Sequence, residues 1–188
     1  MGDRHTYYRE VLGMGRGALS SAWVSDHLMK EDSDILEGRT AIAVLAGEFP
    51  RYVFGNLVLG QSYRNPGLLG KMAATFQYLT DGRLILGIGA GWQGDEYLAY
   101  GFPFPSAGTR IERLGEAIDV LRALWTQSPA SYEDRHYQLH DAYCEPRPQP
   151  AIPILVGGYR PKLMRLTAAK ADVWHWDGPV ERYKRLVE

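Results

Sequence analysis

The chain has 188 residues, 45% of them hydrophobic and 23% charged, with a formal net charge of −1. This is an ordinary globular composition, able to bury a core, and it gives no electrostatic reason to expect nucleic acid or an anionic membrane as partner. No apolar run approaches the roughly 20 residues of a membrane helix, the start MGDRHTYYREV has no signal-peptide stretch, and the single cysteine, Cys144, excludes an internal disulfide framework, so one cytoplasmic domain over 1–188 with a buried thiol is expected.

In chain order, Tyr7 to Leu19 reads as a first helix. Ser21 to Leu28, SAWVSDHL, is an apolar run that turns polar at its end, a buried strand delivering Asp26 and His27 to a rim. Arg51 to Gly60, RYVFGNLVLG, repeats that pattern. Asn65 then caps a helix with Pro66 at its first position, and Leu68, Leu69, Met72, Ala73, Phe76 and Leu79 recur at helical spacing up to an Asp81-Gly82 turn.

Arg83 to Trp92, RLILGIGAGW, follows as an apolar strand with glycines at 87, 89 and 91. Glycine weakens a strand interior, so three at alternate positions point to a flat ligand or another backbone passing close by. Gly89-Ala-Gly91-Trp-Gln-Gly94 also satisfies G-x-G-x-x-G, the dinucleotide fingerprint, which needs a helix opening at its third glycine. Gly101, Pro103 and Pro105 break any such helix after roughly two turns, which argues against a nicotinamide-binding Rossmann module.

Thr109-Arg-Ile-Glu112 reads as a capping box, opening a helix with Ile111, Leu114, Ile118, Leu121 and Leu124 on one stripe. Residues 129–152 read as a hairpin excursion and a proline-rich linker. Ile152 to Gly158 is a buried strand ending in two glycines. Pro161 opens a helix with Leu163, Leu166 and Ala169 on one face, and Asp172 to Trp176 is a last strand before a helical tail.

Strands thus alternate with helices and are apolar on both faces, which argues a parallel sheet covered by helices. Polar residues and glycines collect at strand C-terminal ends. Both a (β/α) barrel and a doubly wound open sheet place their sites there, so the pattern leaves both architectures open.

The segments SAWVSDHL, NLVLGQSYRNPGLLGKMAATFQYLTDGRLILGIGAGW, EYLAYGFPFP, RIERLGEAIDVLRALW, HYQLHDAYCEPRPQP and ILVGG followed by a helix and ADVW resemble, in order, the luciferase-like monooxygenase family. The resemblance implies an α/β fold of the (β/α)8 TIM-barrel type and an oxidoreductase or monooxygenase using FMN or coenzyme F420 on a small organic substrate. It places the cofactor ring across the strand ends. The family's Asp-His pair falls on Asp26 and His27, with His27 catalytic, managing protons beside the ring, and Asp26 in the cofactor site.

The family's third strand carries in several members a non-proline cis peptide that buttresses the ring; the aligned bond is Leu57–Val58, with Gly60 and Gln61 edging the ring through backbone groups. Gly89 and Gly91 leave room for the ring, and Trp92 walls the substrate pocket. Some deazaflavin-dependent sugar-phosphate dehydrogenases carry a catalytic glutamate where Trp92 stands, so a sugar phosphate is not the expected substrate. Gly157, Gly158 and Tyr159 fall on the phosphate-binding turn, where relatives often carry a small residue in place of Tyr159. His175 reads as structural, and no metal site is expected.

A complete TIM barrel needs roughly 200–250 residues or more. The resemblance therefore implies strands two to six only, with exposed strand edges that invite a homo-oligomer. The alternative to an enzyme is a non-catalytic, flavin-binding or structural fragment of such a barrel.

Overall fold

The computed structural model describes residues 3–15, 17–31, 33–179 and 181–183. Helix α1 (Arg4–Met14) starts earlier than the apolar pattern suggests, because the Asp3 carboxylate accepts from the N–H groups of His5 and Thr6, and it stops at Gly15, not at Leu19. Strand β1 (Ser21–Val24) follows. Helix α2 (Gly38–Glu48) has no counterpart in the sequence reading; its cap is Glu37, an uncommon residue there, whose carboxylate takes the N–H groups of Arg39 and Thr40.

Strands β2 (Val53–Asn56) and β3 (Leu59–Gly60) are one expected strand broken in two, and the break falls at the Leu57–Val58 peptide, which is cis. Helix α3 (Pro66–Leu79) has the expected start, with Asn65 Oδ1 accepting from Gly67 N–H and Leu68 N–H. Its buried face is Leu69, Ala73, Phe76 and Gln77, whereas Leu68 and Leu79 point to solvent. The turn at Asp81-Gly82 has positive φ at both residues (53° and 85°), and β4 (Leu84–Gly89) leaves it.

Helix α4 (Gly94–Ala99) does open at the third glycine of the G-x-G-x-x-G run, but it lasts only six residues before Gly101, whose φ is 74°. Helix α5 (Ala107–Thr126) starts ahead of the expected capping box. Ser106 is the cap, accepting from Thr109 N–H, and Thr109 lies inside the first turn. The hairpin is β5 (Ala130–Glu133) with β6 (Gln138–Ala142). Strand β7 (Ile154–Gly157), helix α6 (Pro161–Lys170) and strand β8 (Val173–His175) complete the chain; α6 buries Leu163 and Thr167 while Ala169 is exposed. The expected helical tail lies mostly outside the described residues.

All pairs in the main sheet are parallel, and its order is β1-β2-β4-β7-β8, with β3 beside β4. Every new strand joins the same edge. A doubly wound sheet reverses direction at a switch point, whereas a barrel wall adds strands one way round, so the order decides for the barrel. Five successive wall positions are present and the wall does not close, which is an incomplete (β/α)8 barrel.

The core lies between the wall and its outer helices. Phe54, Leu84, Leu86, Ile88, Ile154 and Val156 from the strands meet Ile42, Leu45, Ala73, Leu114, Ile118 and Leu121 from α2, α3 and α5, all almost fully buried. Cys144 is buried, and burial pushes its thiol up from the ordinary value. No helix among the described residues is long and apolar enough to cross a membrane, and none of their acidic, histidine and cysteine groups cluster as a metal site.

Candidate active site

A cavity of about 860 Å³ opens at the C-terminal ends of the strands. It takes Asp26 and His27 from the end of β1, Leu57 to Gly60 from the β2–β3 break, Gly89 to Trp92 from β4, Glu96 and Tyr97 from α4, Arg110 and Ile111 from α5, and Gly157 to Arg160 from β7. Of the residues singled out in the sequence, only Gln61 is not in the wall. Its side chain turns to the hairpin, where Oε1 accepts from Tyr137 O–H at 2.9 Å, and its own N–H donates to Gly89 O.

Asp26 is a strut in this structure. Arg64, at the loop before α3, donates to both its oxygens at 2.8 Å, and Gly60 N–H donates to Oδ2 at 3.0 Å. Arg64 also pairs with Glu37. The carboxylate is thus committed to protein donors, and the Gly60 N–H that the sequence reading offered to a ring is already used. Burial pushes the Asp26 carboxyl up from its ordinary value against the pull of Arg64.

His27 sits beside it with half of its polar capacity spoken for. Its Nδ1 lies 2.9 Å from Glu96 Oε1, and its ring meets the edge of Trp92 at 5.8 Å between centroids. Glu96 is 1% exposed. Tyr63 O–H donates to its other oxygen at 3.2 Å and Met29 N–H reaches Oε1 at 3.4 Å. Burial, then Tyr97 and Glu96 nearby, push the Tyr63 phenol up.

Glu96 was not singled out from the sequence. Its signal there is faint, one of two acids in a six-residue helix, and only the fold turns Asp95 outward and Glu96 inward. Trp92 lines the mouth of the cavity and is 73% exposed, which excludes a role as core packing.

The glycines of β4 are required by protein neighbours. A Cβ on Gly87 would stand 1.9 Å from the carbonyl oxygen of Asn56, one on Gly89 would stand 2.7 Å from a Val58 methyl, and Gly91 combines a φ of 76° with the Tyr97 hydroxyl at 2.0 Å from such a Cβ. Val58 also sits 3.2 Å from where a Gly157 Cβ would be. The clearance the sequence reading gave to a ring is therefore filled by Val58, the Asn56 carbonyl and Tyr97. Gly89 and Gly91 present backbone, not empty space, to the cavity.

At the far end, Gly158 has φ 125° and donates its N–H to His175 O, while Leu163 fills the position of its absent Cβ. Helix α6 begins immediately behind, with Pro161 in its first turn and no side-chain cap on its N–H groups. Tyr159 lines the cavity beside this turn; its ring lies 5.9 Å from Trp176, with the guanidinium groups of Arg160 and Arg182 at 5.2 and 4.7 Å from its centroid.

Comparison with known proteins adds to this geometry. The chain is 31% identical over 156 residues to the F420-dependent glucose-6-phosphate dehydrogenase of Microbacterium testaceum, covering 81% of this chain and 46% of that protein. It therefore spans about half the length of such curated relatives. A solved F420-dependent secondary alcohol dehydrogenase, in complex with an F420-acetone adduct, superposes with a TM-score of 0.79 at 20% identity, over 91% of this chain and 52% of the other. The FMN-bound oxygenating constituent of 3,6-diketocamphane monooxygenase from Pseudomonas putida superposes at 0.73 and 19% identity, over 89% and 50%. The model of the luciferase-like monooxygenases matches residues 10–188, and with the one-way parallel wall and the cavity at its strand ends, the chain belongs to the luciferase-like monooxygenase family.

Proposed function

We propose that the cavity binds the ring and phosphate of a flavin-type coenzyme, F420 or FMN, and that the chain carries the coenzyme-binding portion of an oxidoreductase or monooxygenase acting on a small organic substrate. The observation that carries this reading is the distance-spanning layout of one cavity: a histidine at one end, and at the other a glycine turn backed by the uncapped N-terminus of α6. Free N–H groups and the positive end of a helix favour an anion. The volume falls in the roughly 300–1,000 Å³ of small-molecule sites.

The residues present fit such a group. Val58 and Leu57 form an apolar bed at the β2–β3 break, Trp92 and Tyr63 supply aromatic walls, and the turn at Gly157 and Gly158 leads into the uncapped start of α6 beside the cavity. The coenzyme when bound supplies the hydride or electron chemistry. The chain's own contribution is to orient the substrate, exclude water with Trp92, and hold or accept a proton at the His27 imidazole. The name of the Microbacterium relative favours F420 over FMN. A small molecule is accordingly the partner.

Titration of the purified chain with FMN and with F420, followed by absorbance and fluorescence, tests this. Saturable binding of one of them is expected, weakened by His27→Ala only modestly. If neither binds at high micromolar concentration, the chain is a structural fragment and the proposal fails.

A further inference from the structure

We propose that Glu96 is the positioning residue for His27: it holds the imidazole in the Nδ1–H form and so presents Nε2, with its lone pair, to the reacting face of the cavity. The inference deepens the functional reading above and rests on it for the meaning of that face, though not for the hydrogen bond itself.

The chemistry follows from donor counting. A carboxylate only accepts, and three groups converge on this one: Met29 N–H and His27 Nδ1 on Oε1, and Tyr63 O–H on Oε2. Met29 N–H can only donate. With Oε1 acting as acceptor toward both neighbours, the hydrogen in the 2.9 Å contact belongs to Nδ1. A neutral imidazole with Nδ1–H has its acceptor at Nε2. Carboxylates that orient an imidazole through one nitrogen define the chemistry of the other.

The placement is also fixed from both sides. Glu96 is nearly inaccessible, and its partner Tyr63 is wedged between Tyr97 at 4.5 Å and Phe102 at 5.1 Å between centroids, so the carboxylate is held in a packed surround. His27 is a third exposed and meets Trp92 edge-on, which leaves its far edge toward the cavity.

The test is the tautomer itself, read from proton–nitrogen correlation spectra of the isotope-labelled full chain at mildly alkaline pH, with His27 assigned among the five histidines by His27→Gln. In the parent chain Nδ1 should carry the protonated shift and Nε2 the unprotonated one. Glu96→Leu, which leaves Nδ1 without its acceptor, should move both nitrogens toward averaged or exchanged shifts, while Tyr63→Phe should leave Nδ1 protonated. An Nε2–H tautomer in the parent chain overturns the proposal outright, whether or not any variant folds. So does an unchanged Nδ1–H pattern in a Glu96→Leu chain whose other four histidine signals are unmoved. Failure of both coenzymes to bind would leave this spectrum intact and would count against the functional reading alone.

Discussion

Removing the Asp26 carboxylate separates its two readings as a ligand contact and as a strut. In Asp26→Ala the Arg64 guanidinium loses two 2.8 Å bonds and Gly60 N–H loses its acceptor. Breaking a buried pair by deleting one partner costs about 3–5 kcal/mol; Arg64 keeps Glu37, which places the pair term near the lower end. The stranded Gly60 N–H adds about 1 kcal/mol. A total of about 4 kcal/mol lowers the melting temperature by roughly 8–16 °C for a chain of this size. Thermal unfolding by circular dichroism, without any coenzyme, is the assay, with Arg64→Met and the double variant completing a cycle. The coupling energy should be about 1–3 kcal/mol. If Asp26→Ala shifts the midpoint by less than about 2 °C and the cycle is additive, Asp26 is no strut and the reasoning fails.

Three further outcomes follow from the same geometry. Gly87→Ala must move the Asn56 carbonyl, 1.9 Å from the new Cβ, and should cost about 1–3 kcal/mol in urea unfolding, whereas Gly47→Ala in α2, with nothing within 4 Å, should gain about 0.5–1 kcal/mol; equal effects would refute the close-approach argument. Burial opposes ionisation of Glu37, but the Thr40 hydroxyl, two backbone N–H groups and Arg64 outweigh it and hold the carboxyl at about 2 against an ordinary 4.5. A depressed folded value means its stabilisation is present above pH 4.5 and lost as pH falls toward 2. The stability gap between the parent chain and Glu37→Gln, about 1–2 kcal/mol after screening of a half-exposed group, should therefore be constant above about pH 5 and close as pH falls from there to about 2, and a gap that stays constant over that range would contradict the assignment. Trp92→Ala, at an exposed position, should shift the melting temperature by less than about 2 °C while weakening coenzyme or substrate binding in fluorescence titration; a large loss of stability would show that Trp92 packs a core.

Much of the wall was legible because local chemistry sets it. Asn65-Pro66 starts α3 by capping and fixed φ, Asp81-Gly82 turns the chain because both residues tolerate positive φ, and Leu114, Ile118, Leu121 and Leu124 mark the buried stripe of α5. Misreadings also have local causes. Ser106 and Thr109 are both good caps three residues apart, and only the backbone shows which one stands outside the helix. Helix α2 escaped because its cap is a glutamate and its face is built of small residues such as Ala41 and Ala46. On a strand that a barrel wall buries on both faces, glycine reads the same whether it clears space for a ligand, a methyl or a carbonyl.

The sequence by itself determined the alternation of strands and helices, the glycine run, the Asp26-His27 pair and the family, since each is written in neighbouring residues or in their order. The tertiary structure alone decided the direction in which strands join the wall, that Asp26 serves Arg64, that Val58 and Asn56 occupy the room left by Gly89 and Gly87, and that Glu96 meets His27 across 69 positions of chain. The physical reason is the same in each case. A side chain's capacity for hydrogen bonds or contact is local, but which partner consumes it depends on how the parallel strands bring separate loops to one rim.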